Sequence, residues 1–261
     1  AGGVACAVAV GVGESVNFNC PGPGYDRRCG LPDHCGVVMV TVPMNADGPD
    51  VAAVKALVAD DPSIKGMWVV PTYANPTGAV CSLEVASELA AMPAAAPDFT
   101  IFWDTAYAFH HLTEHEAKSA DILTLAAASG HPNRPIMFAS TSKITYAGAG
   151  VAVLAASPDN VAWYLRHLSM GSIGPDKVNQ LRHVEFFTNA DGVREHMHGH
   201  RQIIAPKFQA VHKALMTGLD GLGTAPWSRP TRAYFGHRAV RHGTRPHVVW
   251  LPNAAGTAAT P

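Results

Sequence analysis

The chain has 261 residues, of which 48% are hydrophobic and 15% charged, which excludes a disordered polypeptide and allows a sizeable core. Nineteen basic and 20 acidic residues give a formal charge of −1, so no electrostatic footprint for nucleic acid or an anionic membrane is present. No apolar run reaches the roughly 20 residues that a membrane span needs, and Ala1 to Val12 lacks the basic flank of a signal peptide. Five cysteines (Cys6, Cys20, Cys29, Cys35 and Cys81) lack C-x-x-C spacing and read as reduced thiols of a cytoplasmic protein. Cys29, His34 and Cys35 have no fourth ligand at a suitable spacing, so no metal site is expected.

Short β-like runs alternate with helical stretches, the pattern of a mostly parallel sheet covered by helices. Val37 to Val42 reads as a strand, and Val51 to Ala59 as an amphipathic helix capped by Asp50. Met67 to Val70 reads as a buried strand ended by Pro71. Ser82 caps the next helix, to Ala91, with Val85 and Leu89 on one face. Thr100 to Trp103 is again a strand, followed by Asp104. Ala120 to Ala128 reads as a helix closed by Gly130 and Pro132. Ile136 to Ala139 is a strand leading into Ser140-Thr141-Ser142-Lys143, and Val151 to Ala156 is another. Helices are expected over Asp159 to Leu168, Pro175 to Phe187 and Gly192 to Leu219, before an Arg-, His-, Gly- and Pro-rich tail from Arg229.

Ligands of open α/β sheets bind beyond the carboxyl ends of the strands. Asn75, Asp104 and Ser140 to Lys143 each follow a predicted strand, so they are expected to share one crevice. Their chemistry suits an aldehyde cofactor with a pyridine ring and a phosphate. A lysine amine forms the Schiff base, and a carboxylate at the ring nitrogen maintains the electron sink. Donors such as Asn75 and Tyr107 would hold the phenolic oxygen, and the hydroxyls of Ser140 and Ser142 would meet the phosphate. Taken singly, Asp104 is also a plausible helix cap, and Asn75-Pro76-Thr77-Gly78 a plausible turn.

Tyr73 to Gly78 (YANPTG), Trp103 to Tyr107 (WDTAY) and Ser140 to Lys143 (STSK) resemble the N-P-T-G, D-x-A-Y and S-x-S-K motifs of fold-type I, class I/II aminotransferases. The intervals are similar too, 29 positions from Asn75 to Asp104 and 39 from Asp104 to Lys143. Ser140 to Val153 and Ile173 to His183 further resemble a bacterial aspartate aminotransferase-like branch. The resemblance runs from about Asn19 to Phe235. It implies an α/β fold, a three-layer αβα sandwich with a mostly parallel mixed sheet. It implies pyridoxal 5′-phosphate (PLP) bound as a Schiff base to Lys143, which also shuttles the proton. Asp104 would pair with the pyridinium, Asn75 and Tyr107 with the phenolic oxygen, and Ser140 and Ser142 with the phosphate. Pro23-Gly24-Tyr25 matches a family segment that sets the Tyr25 ring on the cofactor.

The resemblance further implies an amino acid (aspartate- or glutamate-like) and a 2-oxo acid as substrates, and a homodimer. Residues 1–228 are expected to form the PLP-binding large domain, incomplete at its N-terminus, and 229–261 the start of a truncated or divergent small domain. Three family features have no counterpart. The phosphate-binding loop that the family carries upstream is not found in Ala1 to Glu14. Val151 stands where many relatives carry a phosphate-gripping arginine, and none of Arg232, Arg238, Arg241 and Arg245 lies in a substrate-carboxylate motif. A PLP-dependent lyase, an inactive remnant and an aminotransferase-like regulatory domain stay open beside the aminotransferase reading.

Overall fold

Five of the six residues in Val37–Val42 are β-branched, and this segment forms strand β2 beside β1, Val16–Pro21, in a computed structural model of the protein. The structure describes residues 16–21, 37–75 and 77–219. Tyr25, the tail from Arg229 and the expected domain boundary at 228/229 lie outside the described residues.

A two-residue ladder of β3, Met44–Asn45, and β4, Gly48–Pro49, leads to helix α1, Val51–Val58. There follow β5 (Ile64–Val69), α2 (Leu83–Ala91), β6 (Thr100–Asp104), α3 (Ile122–Ala128), β7 (Pro135–Ser140) and β8 (Ala152–Ala156). Three helices close the described chain: α4 (Pro158–Gly171), α5 (Lys177–Phe187) and α6 (Ala190–Leu219). The sheet order is β2-β1-β5-β6-β7-β8, parallel throughout except for β8, which runs antiparallel to β7. The expected α/β architecture with a mostly parallel mixed sheet is therefore present.

Strand alternation divides the core between the two faces of the sheet. Met67, Val69, Ile101 and Trp103 point to one face, where they bury Val54 and Val58 of α1, Leu89 of α2 and Ile122 of α3. Trp68, Phe102 and Phe138 point to the other and pack as one aromatic group, with ring centres 5.6–6.3 Å apart. Helices α4 and α5 keep much of their apolar surface in solvent, Leu165, Met170, Val178, Leu181 and Val184 among it. Among the described residues no helix is long and apolar enough to cross a membrane.

The capping residues fix the helix starts. Asp50 and Ser82 accept from Ala53 N and Val85 N, as their positions predict. The helix expected from Ala120 starts at Ile122, because Asp121 is the cap and takes the N–H of Thr124. Asp176 likewise moves the start of α5 from Pro175 to Lys177. The long helix begins at Ala190, before the expected Gly192, with Asn189 Oδ1 accepting from Asp191 N and Gly192 N. β5 is longer than expected, starting at Ile64 and ending at Val69. Cys81 is a buried free thiol, pushed up to about 12 by burial and, secondarily, by the charge of Asp47.

Candidate functional site

Val69 pairs with Trp103 and Asp104 with Phe138, so parallel β5, β6 and β7 end side by side. Their carboxyl ends deliver three loops to the same edge of the sheet: Pro71 to Ser82, Thr105 onward, and Thr141 onward.

The first loop is shaped by Tyr73, whose φ of +54° lies in the left-handed region that side chains rarely adopt. Its fully buried ring is anchored through the hydroxyl, which lies 2.7 Å from His111 Nδ1 and accepts from Ala117 N at 3.2 Å. Gly78 N donates to Ala74 O at 2.6 Å and Ala74 N to Ala79 O at 3.0 Å, closing the loop around Asn75. Asn75 is buried, and its Oδ1 accepts no hydrogen bond among the described residues. A buried amide with an open polar atom is costly unless a ligand or water completes it.

Asp104 ends β6 with both carboxylate oxygens engaged. Oδ1 accepts from Ala106 N at 3.0 Å, and Oδ2 from the indole Nε1 of Trp68 at 3.2 Å. Tyr107, three residues on, is buried in one apolar cluster with Val70, Tyr73 and Ala74. That cluster joins the Asn75 loop to the Asp104 loop. Lys143 joins from β7: its Nζ lies 4.9 Å from the centre of the Tyr107 ring, within cation–π range.

Ser140 Oγ and Ser142 Oγ are 2.8 Å apart, and Ser142 N also meets Ser140 Oγ at 3.1 Å. This leaves two hydroxyls side by side at the start of a tight turn in which Ile144 N and Thr145 N both donate to Thr141 O. Gly150 passes close beside that turn. A Cβ on it would stand 2.7 Å from both N and Cα of Ser142, so only glycine fits there.

Asn75, Asp104, Tyr107, Ser140, Ser142 and Lys143 thus sit on three adjacent strand-end loops, and Tyr107 and Lys143 are in contact. Tyr25 is outside the described residues. Sequence patterns did not reveal the residues that brace the lysine turn. Thr141 Oγ1 takes the Val151 N–H at 2.8 Å and meets His183 Nε2 at 2.7 Å, while Asn179 Nδ2 donates to Ala149 O at 3.0 Å. Asn179 and His183 are one turn apart on α5, and both fall in the Ile173 to His183 segment that carries the family resemblance.

The family model described as aspartate amino-transferase matches residues 2–261. A Mycolicibacterium smegmatis protein named as an aminotransferase is 53% identical over 246 residues, 94% of this chain and 58% of that protein. The aspartate aminotransferase of Corynebacterium glutamicum is 47% identical over 247 residues, 95% of this chain and 57% of its own length. A crystal structure of an aspartate transaminase from that species superposes with a TM-score of 0.84, covering 87% of this chain and 54% of its own. The fold also matches an α-aminoadipate aminotransferase of Thermus thermophilus, complexed with N-(5′-phosphopyridoxyl)-L-leucine, at a TM-score of 0.78 and 22% identity, covering 92% of this chain and 60% of that one. The chain spans a little under three fifths of the length of the curated relatives it matches.

Proposed function

Because the chain belongs to the aspartate amino-transferase family, we propose that it is the cofactor-holding part of a PLP-dependent aminotransferase that moves an amino group between an aspartate- or glutamate-like amino acid and a 2-oxo acid. The observation that carries this reading is Lys143 standing over Tyr107, at neighbouring strand ends that also carry the paired hydroxyls of Ser140 and Ser142 and the carboxylate of Asp104.

The residues present fit PLP. Asn75 offers a buried amide with an unfilled polar atom, and it would hold the phenolic oxygen together with Tyr107. Because amide O and N positions are assigned by the surrounding bonds, the same side chain can turn its N–H₂ to that oxygen. Ser140 and Ser142 would donate to the phosphate, with the Thr141 to Thr145 turn directly behind them. Asp104 would face the pyridine nitrogen, its carboxylate plane fixed by Trp68 Nε1 and Ala106 N. When bound, PLP supplies the electron sink for the pair left as the substrate Cα–H bond breaks. Lys143 Nζ would hold the cofactor aldehyde at rest and then act as the base at Cα. Its seat on the Tyr107 ring keeps the amine near the strand ends.

Residues 1–228 would form the cofactor domain and 229–261 lead into a second one. Val178, Leu181 and Val184, left in solvent along α5, support association with a second copy as a homodimer. The buried free thiol of Cys81 supports a cytoplasmic setting.

Borohydride reduction after addition of PLP tests the cofactor reading. One stable adduct is expected, mapped by peptide mass to Lys143 and lost in Lys143→Ala. An adduct spread over surface lysines, or one retained by the alanine variant, would sink the assignment. With aspartate or glutamate and a 2-oxo acid, transfer of the amino group is expected; ammonia release would favour a lyase.

A further inference from the structure

The turn that carries Lys143 is gripped from two directions by imidazoles. His110 lies just beyond Tyr107, and its Nε2 is 3.3 Å from the backbone carbonyl of Lys143. His196, near the start of α6, places its Nε2 2.9 Å from the carbonyl of Ile144. Both partners are carbonyl oxygens, so each ring must present an Nε2–H, as the neutral Nε2 tautomer does.

We propose that His110 and His196 are positioning residues for the reactive lysine, donating from Nε2 to the consecutive carbonyls of Lys143 and Ile144 and so fixing the turn from which the amine projects. The inference rests on the PLP reading of Lys143 given above.

Four observations carry it. His110 is 3% exposed and stands edge-on to Tyr107, ring centres 5.5 Å apart, while Tyr107 carries the Lys143 amine on its face. One imidazole therefore touches both the lysine backbone and the ring beneath the lysine head. His196 is held edge-on by Phe186 and Phe187 at 5.2 and 5.5 Å, and the His200 ring lies tilted against it at 4.4 Å. Ile144 is buried with Phe187 and Met197, so the second grip comes from a packed cluster. Lys143 is itself exposed, so the main-chain turn that carries it and the Tyr107 ring beneath its amine both bear on its direction. A neutral donor does this without a further cation beside the amine, and burial favours the neutral form of His110. These histidines are not arranged as metal ligands: among the described residues no group of three or more His, Cys, Asp or Glu is placed to hold an ion.

The test uses single Gln and Met variants at each position in the full chain. Gln keeps an N–H at about the reach of Nε2, whereas Met has a similar length and no donor. The half-saturating PLP concentration for the borohydride-trapped Lys143 adduct is measured beside the thermal transition. At matched melting temperature, Met at either position should raise that concentration about tenfold, and Gln should recover most of the loss. Equal losses in Gln and Met, or none in Met, would overturn the proposal. If a Met variant does not fold, its Gln counterpart decides: capture near the wild-type level supports the donor role, and loss in a folded Gln variant rejects it. A wild-type chain that gives no Lys143 adduct would remove the cofactor reading and this inference together. A wild-type adduct with unaffected Met variants would remove the histidine role alone.

Discussion

The indole N–H of Trp68 donates to Asp104 Oδ2 at 3.2 Å, tying the penultimate residue of one strand to the end of its neighbour. Ala106 N holds the other oxygen, so the carboxylate has little freedom to rotate. Trp68→Phe removes the donor but keeps an aromatic ring against Phe102 and Phe138. If Asp104 is the group that meets the pyridine nitrogen, releasing one oxygen should weaken PLP capture at Lys143 roughly fivefold, equivalent to about 1 kcal/mol. Unchanged half-saturation in a folded Phe variant would mean that Ala106 alone orients the carboxylate.

Gly150 has no tolerance for a side chain because the atoms facing it include the backbone of Ser142. Moving them would move the residue next to Lys143. Gly150→Ala should cost about 1–3 kcal/mol of stability, the range for forcing extra volume into a packed site. Denaturant titration measures that cost. Capture of PLP at Lys143 should fall in the fraction that remains folded, whereas an alanine variant with wild-type stability and capture would contradict the close approach.

The parts legible in the sequence were those with local chemistry. Asp50 and Ser82 cap helices through their own next turn, and Asn75, Asp104 and Ser140 stand out as polar residues after apolar runs. Strand β1 lacks that contrast: Val16–Pro21 interleaves Asn17 and Asn19 with Val16 and Phe18, and its pairing comes from neighbours on both sides. The braces of the lysine turn were hidden for a different reason. His110 and His196 bond carbonyls 33 and 52 positions away, and a backbone acceptor leaves no mark on residue type. Asp121 does not stand out as a cap because Ala120 before it also suits a helix, although its carboxylate takes both the N–H and the hydroxyl of Thr124.

His110 also makes stability depend on pH. Burial, with smaller contributions from Lys143 and His200, pushes it down from 6.5 to about 4, against the opposing pull of the Lys143 and Tyr107 carbonyls. Between those values the unfolded chain binds a proton that the folded chain refuses, so stability falls as pH drops from 6.5 towards 4. The loss from this group alone is about 3 kcal/mol. His200 is shifted in the same direction, by burial first and His196 second. Urea titrations at several pH values should show that slope, and His110→Gln should flatten it. An equal slope in both proteins would place the acid sensitivity elsewhere.

Arg134 separates fold stability from site chemistry, because it precedes β7 at the end opposite Ser140. Its buried guanidinium donates from one nitrogen to Ala90 O at 2.9 Å and to Met92 O at 2.6 Å, closing the C-terminus of α2, and lies 5.9 Å from the centre of the Phe99 ring. A cation there also complements the negative end of the helix dipole. Arg134→Met keeps a long apolar stem but strips a buried carbonyl of its donor. Stability should fall by about 2–3 kcal/mol, the range for losing a charged hydrogen bond in the interior. Below the lowered melting transition, Lys143 should still capture PLP with the wild-type half-saturation, since neither the Thr141 turn nor Asp104 touches this arginine. Lost capture with an unshifted transition would reveal a coupling along β7 that the contacts do not contain.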